Sequence, residues 1–254
     1  MKRLMLLVLV LIFATETPST QREETVEIVF KAQDKQINPY QEEYEKLLYP
    51  TVRISSPTGT GSGVVISYKL KVTSYELKPE TCNLQPETFI LTAAHVVGDE
   101  SKVEIEFFTT KNTKIDAEVL ITDTDKDLAL IKIRDSALPQ HLYLSRLASK
   151  DYRPYLFNPV YTIGCSLGLP PRPSQGIISV IDKDHWEVSS PVLPGNSGGP
   201  VYDRYTYQVI GVAVWVKTYQ GQLVTTMAGI VPINQIYEFL QPQITQMNTD
   251  KSDR

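Results

Sequence analysis

Pro194-Gly195-Asn196-Ser197-Gly198-Gly199-Pro200 runs directly into Val201-Tyr202, a pair with strand character, and no helix follows it. A serine set among glycines sits on a sharply turning backbone with little bulk around its hydroxyl, so a carbonyl can approach closely. The turn also leaves backbone N–H groups aimed at one spot. Read alone, a Gly/Ser/Asn cluster is most often only a turn, so its meaning depends on its surroundings. Outward from it, the chain breaks into short β-rich runs at 51–55, 63–69, 88–92, 102–108, 117–122, 128–134, 160–164, 176–181, 186–190, 201–202, 207–216 and 223–231. So many short strands, with no helix of 10–15 residues between them, predict an all-β barrel or sandwich architecture. Helical spacing occurs twice: Tyr40, Tyr44, Leu47 and Leu48 behind Asn38-Pro39, and Ile233, Ile236, Tyr237 and Leu240 ahead of Pro242. These predict short helices over 41–48 and 234–240. No repeat of 20–50 residues and no low-complexity segment is present, which excludes solenoids and propellers.

Two further strings give the serine its context. Phe89-Ile90-Leu91-Thr92-Ala93-Ala94-His95-Val96-Val97 reads as a strand ending in a tight turn that presents His95. Thr124-Asp125-Lys126-Asp127-Leu128-Ala129-Leu130-Ile131-Lys132-Ile133 sets Asp127 at the mouth of an alternating strand. A serine hydroxyl is a weak nucleophile and needs a base near neutral pH, which imidazole supplies. A carboxylate beside that imidazole fixes its tautomer and stabilises the imidazolium. Asp123 and Asp125 compete for that role, but only Asp127 abuts the apolar run Leu128-Ala129-Leu130, where a carboxylate is held rigidly. His141 and His185 lie in polar stretches and read as surface residues. The N–H groups of Gly195 and Ser197 are the candidate oxyanion donors, a class of interaction worth about 2.7–4 kcal/mol per donor.

Gly195-x-Ser197-x-Gly199 also satisfies the nucleophile-elbow pattern of α/β-hydrolases. That fold orders its residues serine, acid, histidine and places the elbow between a strand and a helix. Here the order is His95, Asp127, Ser197 and a strand follows, so the esterase or lipase reading is rejected.

Six blocks, in order, resemble the chymotrypsin-like serine peptidases, most closely the HtrA/Deg bacterial branch. They are Gly59-Thr60-Gly61-Ser62-Gly63-Val64-Val65-Ile66, Leu91 to Val97, Asp127 to Lys132, Tyr161-Thr162-Ile163-Gly164, Ser174 to Ser179, and Gly195 to Pro200. The resemblance spans about residues 50–240. It implies two packed six-stranded β-barrels, over 50–140 and 155–242, with the site in the cleft between them. It assigns His95 as general base, Asp127 as its orienting carboxylate, Ser197 as nucleophile, and Gly195 and Ser197 as oxyanion donors. It also places Pro191, Val192, Val214, Trp215, Val216 and Gly229 around the substrate.

The departures from that family carry further expectations. Asn196 stands where the digestive branch has an aspartate that pairs with a newly released amino terminus. An amide cannot form that ion pair, so activation by precursor cleavage is not expected. Pro191 stands where the trypsin branch has an acid, and Val216 where a glycine would keep the pocket open. A preference for small or medium aliphatic residues on the acyl side follows. The insertion from Tyr68 to Glu87 carries Cys82, and in this fold its loop and the loop holding Cys165 approach one side of the cleft. The two cysteines read either as separate small apolar side chains or as a bridge stapling those loops, which an oxidising compartment allows. Relatives often trimerise through an amino-terminal arm; here residues 34–48 could serve or could pack on their own barrel, which leaves monomer and trimer open. With fourteen residues after Leu240, no downstream PDZ domain is expected.

The ends and the charge complete the reading. Met1-Lys2-Arg3 and the apolar run Leu4 to Ala14 have the layout of a secretory signal, and a spanning helix needs about 20 apolar residues. The predicted organisation is a signal over 1–20, an arm over 21–49, a peptidase domain over 50–242 and a polar tail over 243–254. The protein is expected to be exported, periplasmic or extracellular, with transient membrane association where the signal stays uncleaved. A formal net charge of −4 over 254 residues argues against nucleic acid and anionic lipid as partners. Protein or peptide substrates are expected, with no metal, because there is no Cys/His cluster. No organic cofactor is expected, since the triad, oxyanion donors and water suffice. The rival reading is a non-catalytic peptide-binding module that kept the fold.

Overall fold

The computed structural model describes residues 39–57, 59–68, 87–110, 113–133, 139 and 142–241. The predicted signal and most of the arm, Cys82 with most of its insertion, His141 and the polar tail lie outside these residues. The described residues from Glu42 onward belong to one compact unit.

That unit contains two closed antiparallel barrels of six strands each. The first uses β1 (Thr51–Ser56), β2 (Gly59–Tyr68), β3 (Glu87–Thr92), β4 (Lys102–Phe107), β5 (Lys114–Asp123) and β6 (Leu128–Lys132), in the order β1-β2-β3-β6-β5-β4. The second uses β7 (Pro159–Gly164), β8 (Arg172–Ile181), β9 (Trp186–Val188), β10 (Pro200–Asp203), β11 (Val209–Tyr219) and β12 (Gln222–Pro232), in the order β10-β11-β12-β9-β8-β7. Closure leaves no unpaired sheet edge. Alternation fills each interior: Val52, Ile54, Val65, Ile90, Ile105 and Ile131 in the first barrel, Val160, Ile178, Val188, Ala213, Ala228 and Ile230 in the second, all at most 1% exposed. β1 and β2 approach β7, which sets the two barrels side by side.

β5 and β8 begin earlier than their hydrophobic patterns predict, at Lys114 and Arg172. Both strand ends are exposed, and alternation reads burial, not pairing, so a solvated strand end is silent in the sequence. β11 carries register shifts on either side of Trp215–Val216, the first between Ala213 and Trp215. Val212, Val214 and Val216 therefore do not alternate evenly; Val214 is an inserted residue that bends the strand.

The opening helix is α-helical only over Gln41–Glu43 and continues as a π-helix over Tyr44–Leu48. Leu47 and Leu48 are buried while Tyr44 is exposed. The Leu47 carbonyl accepts the Thr51 hydroxyl at 3.0 Å and the Tyr202 hydroxyl at 3.3 Å, so it binds elements of both barrels. The closing helix runs over 233–241 and buries Ile233, Ile236, Phe239 and Leu240. Among the described residues no helix is long and apolar enough to cross a membrane.

Candidate active site

His95 follows β3. Ala93 is extended, and a single helical turn, Ala94–Val97, ends at Gly98, whose N–H returns to the Ala94 carbonyl at 2.9 Å. Ala94, Val96 and Val97 are buried and His95 points out. Asp127 is the last residue of the turn between β5 and β6 and adopts φ 52°. A short polar side chain tolerates this left-handed region better than most. The turn aims its carboxylate at His95: Oδ2 lies 2.7 Å from the ring Nδ1, and Oδ1 accepts the His95 backbone N–H at 2.9 Å. Burial opposes ionisation of Asp127, but the hydrogen bonds from the His95 ring and backbone and from Ala94 outweigh it, so its carboxyl sits below its ordinary value. Asp123 instead accepts Lys126 N–H at 2.9 Å, and Asp125 is exposed. Of the three aspartates, Asp127 is the one that meets His95.

Ser197 lies on a loop of the second barrel that is fastened to the first. Its carbonyl accepts the Ser62 N–H of β2 at 2.8 Å, while Gly198 N–H donates to Ala213 of β11 at 2.7 Å. A Cβ at Gly61 would fall 2.5 Å from the Val96 side chain and 3.1 Å from the Ser197 carbonyl oxygen. The His95 turn and Ser197 therefore flank one point on β2. No hydrogen bond joins His95 to Ser197 among the described residues; such bonds are often long before substrate arrives.

The loop before Ser197 is held peptide by peptide. The Pro194 carbonyl accepts Leu167 N–H at 2.7 Å, the Gly195 carbonyl accepts the Ser62 hydroxyl at 2.6 Å, and the Asn196 carbonyl accepts Gly199 N–H at 2.9 Å. Gly195 has φ 95°, and a Cβ there would lie 2.4 Å from the Cys165 carbonyl oxygen, so only glycine fits. The N–H groups of Gly195 and Ser197 have no partner among the described residues, which is the state an oxyanion hole requires. Asn196 is 2% exposed and accepts the Ser166 hydroxyl at 2.5 Å. Arg53 of β1 braces the neighbouring 165–169 segment, donating to the Gly168 carbonyl at 2.6 Å while paired with Glu106. These supports, Ser62, Ser166, Leu167 and Arg53, carry no motif as supports. Ser62 alone lies in a glycine-rich block that the sequence singles out.

The residues expected around the substrate divide between two faces. Val216 pairs with Ala228, which pairs with Val188, so these three share one side of the sheet. Trp215, Gly229 and Glu187 form the adjacent row and share the other. Pro191 is exposed and Val192 buried, and Val192 N–H is tied to Thr225 of β12 at 2.8 Å. Gly229 lies under the Trp215 indole, where a Cβ would fall 1.9 Å from Cε2. Gly229→Ala is therefore expected to displace the indole, costing about 1–3 kcal/mol and lowering Tm by about 2–12 °C. Thermal unfolding with tryptophan fluorescence checks this; an unchanged Tm would contradict it. His185, read from sequence as a surface residue, is only partly exposed, and its ring packs 5.9 Å from that of Trp215. Glu187, 4% exposed, pairs with Lys217 at 2.7 Å.

Cys165 is a buried free thiol, and burial pushes its pKa up to about 12, which makes it unreactive at neutral pH. Its proposed partner Cys82 lies outside the described residues. No cluster of metal-ligating side chains occurs among the described residues.

Comparison with known proteins places this geometry. Serine protease HTRA1 of Xenopus tropicalis is 26% identical over 222 residues, covering 82% of this chain and 41% of that protein. The probable periplasmic serine endoprotease DegP-like of Pseudomonas fluorescens is 28% identical over 141 residues, covering 52% of this chain and 28% of that one. The chain thus spans less than half the length of these curated relatives. The crystal structure of the serine endoprotease from Yersinia pestis has the same fold at TM-score 0.62 and 19% identity, covering 82% of this chain and 67% of that one. The family described as Trypsin-like peptidase domain matches residues 61–212, more than half of the sequence. With two six-stranded barrels and a glycine-framed serine between them, the chain belongs to the trypsin-like peptidase domain family.

Proposed function

We propose that this protein is an exported serine endopeptidase that works through His95, Asp127 and Ser197. The observation that carries the reading is the convergence, on one point of β2, of the His95–Asp127 pair and a serine whose loop offers two unspent N–H donors. In the first half-reaction Ser197 Oγ attacks the scissile carbonyl carbon and its proton passes to His95 Nε2. Asp127 Oδ2 holds the Nδ1–H and stabilises the imidazolium, while the N–H groups of Gly195 and Ser197 receive the oxyanion. The imidazolium then protonates the leaving amine as the C–N bond breaks. Water, deprotonated by His95, attacks the acyl-enzyme and returns Ser197 to its starting state. Because Asn196 is held by the neutral Ser166 hydroxyl, this loop needs no new amino terminus to stay formed.

The acyl-side pocket is proposed to take small or medium aliphatic side chains. Val192, Val216 and Ala228 supply apolar walls, and Pro191 supplies no charge to recruit lysine or arginine. Export rests on the layout of residues 1–20 and agrees with the periplasmic relative from Pseudomonas fluorescens.

The test is reaction with a serine-directed phosphonate followed by peptide mapping, alongside a panel of peptides varied at the acyl-side residue. One adduct per chain on Ser197, casein cleavage, and kcat/KM highest for Ala, Val or Leu are expected. Absence of both adduct and cleavage would favour a peptide-binding module, and efficient cleavage after Lys or Arg alone would overturn the pocket assignment.

A further inference from the structure

We propose that Ser62 is a positioning residue for the oxyanion donors, its hydroxyl accepting the Cys165 N–H and donating to the Gly195 carbonyl. This rests on the hydrolase reading above and names a residue that reading does not use.

The Ser62 side chain is fully buried. Its Oγ lies 2.7 Å from Cys165 N and 2.6 Å from the Gly195 carbonyl oxygen. An amide can only donate and a carbonyl can only accept, so the direction of the hydroxyl proton is fixed by its two neighbours. Its backbone is committed as well: the N–H donates to the Ser197 carbonyl at 2.8 Å, and the carbonyl accepts the Thr92 hydroxyl at 2.6 Å. Every polar group of one residue is therefore directed at the nucleophile, at the strand leading to His95, at the oxyanion loop or at the loop that braces it.

The side chain acts on the peptide where control matters most. The two donors belong to the peptides 194–195 and 196–197, and the Gly195 carbonyl belongs to the one between them. Glycine at φ 95° has many accessible conformations, so the orientation of that central peptide has to be imposed from outside. The Ser62 hydroxyl imposes it on one side and the Asn196 N–H, bonded to the Leu193 carbonyl at 3.0 Å, on the other. A turn of the central peptide changes ψ of Gly195 and φ of Asn196, two of the dihedrals that set the flanking N–H groups relative to each other. The bulk of Ser62 is accommodated by the residues after the nucleophile: a Cβ at Gly198 would fall 2.2 Å from the Ser62 carbonyl oxygen, and one at Gly199 would fall 3.2 Å from Ser62 Cβ.

Ser62→Ala removes the hydroxyl and keeps both backbone bonds, so it isolates the relay. A displacement of about 1 Å at a reacting group can cost on the order of 100-fold, so a fall in kcat of about 10- to 100-fold is expected. KM should stay within about twofold, and the rate of phosphonate labelling should fall by the same factor as kcat. Binding of an uncleaved peptide should be equal in Ser197→Ala and in Ser62→Ala/Ser197→Ala, an equality that a general loosening of the cleft would not preserve. Ser62→Cys, assayed in reductant because Cys165 is adjacent, retains volume with a weaker donor and is expected to fall between wild type and Ser62→Ala; it also covers the case in which the alanine variant does not fold. Wild-type kcat in either variant, or a fall in kcat matched by equal weakening of peptide binding, would overturn the role of Ser62 alone. A wild-type protein no more active than Ser197→Ala would overturn the hydrolase reading and this role with it.

Discussion

Ser197→Ala is expected to lower kcat on casein or a peptide ester by about 10⁶-fold while leaving peptide affinity unchanged. The size follows from what remains. Without Oγ no acyl-enzyme forms, and only the N–H donors of the 194–197 loop and the binding groove act on an attacking water, leaving a residual about 10³–10⁴ above the uncatalysed rate. The loop itself should be undisturbed, because its fixing bonds run through the backbone of Ser197, Gly198 and Gly199 and through the side chains of Ser62 and Ser166. Initial rates at high enzyme concentration, together with peptide binding by calorimetry, check the split. Adding His95→Ala to Ser197→Ala should cost little more, since a base with no nucleophile to activate contributes nothing. Retention of wild-type rates in Ser197→Ala would place the nucleophile elsewhere.

Asp127→Asn is expected to reduce kcat by about 10⁴-fold with the fold intact. The carboxylate accepts two hydrogen bonds from His95, one from the ring and one from the backbone. An amide of the same shape can accept the backbone one but presents an N–H to the ring, favouring the tautomer with its proton on Nε2. That nitrogen then cannot take the proton of Ser197. Asparagine also tolerates the left-handed conformation that Asp127 adopts at φ 52°, so Tm should change little and KM should hold; a large fall in Tm would instead assign Asp127 a structural role. The pH behaviour of the wild type follows from the same bonds. The carboxyl of Asp127 is held below its ordinary value of 3.8 in the folded protein. Its contribution to stability is therefore present above pH 3.8 and is lost only as pH falls below that, through the lowered folded value.

The all-β class and the positions of the three motif-bearing residues leave a local trace in the sequence, as alternation along a strand or as glycines and a charged residue at a strand end, whereas the count of two six-stranded barrels came from the family resemblance. Asp127 was separable from Asp123 and Asp125 because it alone adjoins an apolar strand, and rigidity at a strand mouth is what a hydrogen-bonded carboxylate needs. The braces of the serine loop and of the 165–169 segment beside it were not legible. Ser62 meets Gly195 across 133 residues and Arg53 meets Gly168 across 115, and a hydroxyl or guanidinium leaves no periodic signal that points to such a partner. The division of the residues expected around the substrate between two faces was hidden for another reason. The irregularity at Val214 shifts the register of β11, so counting by twos from Val212 misplaces every side chain beyond it. His185 illustrates the same limit: its polar neighbours suggest solvent, but the strand pairing that packs it on Trp215 lies outside its local sequence.

His95 and Asp127 belong to the first barrel and Ser197 to the second, with the Ser62 N–H to Ser197 carbonyl bond as the seam. Neither half holds all three of the residues proposed to carry the reaction. During synthesis a finished first barrel would carry a base with no hydroxyl to activate, and after a break in the chain an isolated second barrel would carry a hydroxyl of ordinary, feeble reactivity. Hydrolytic power would thus arise only when the last strands close against the first. On the proposed function, that arrangement would spare the chain's neighbours, and its own unfolded copies, from premature attack, and it would do so by topology.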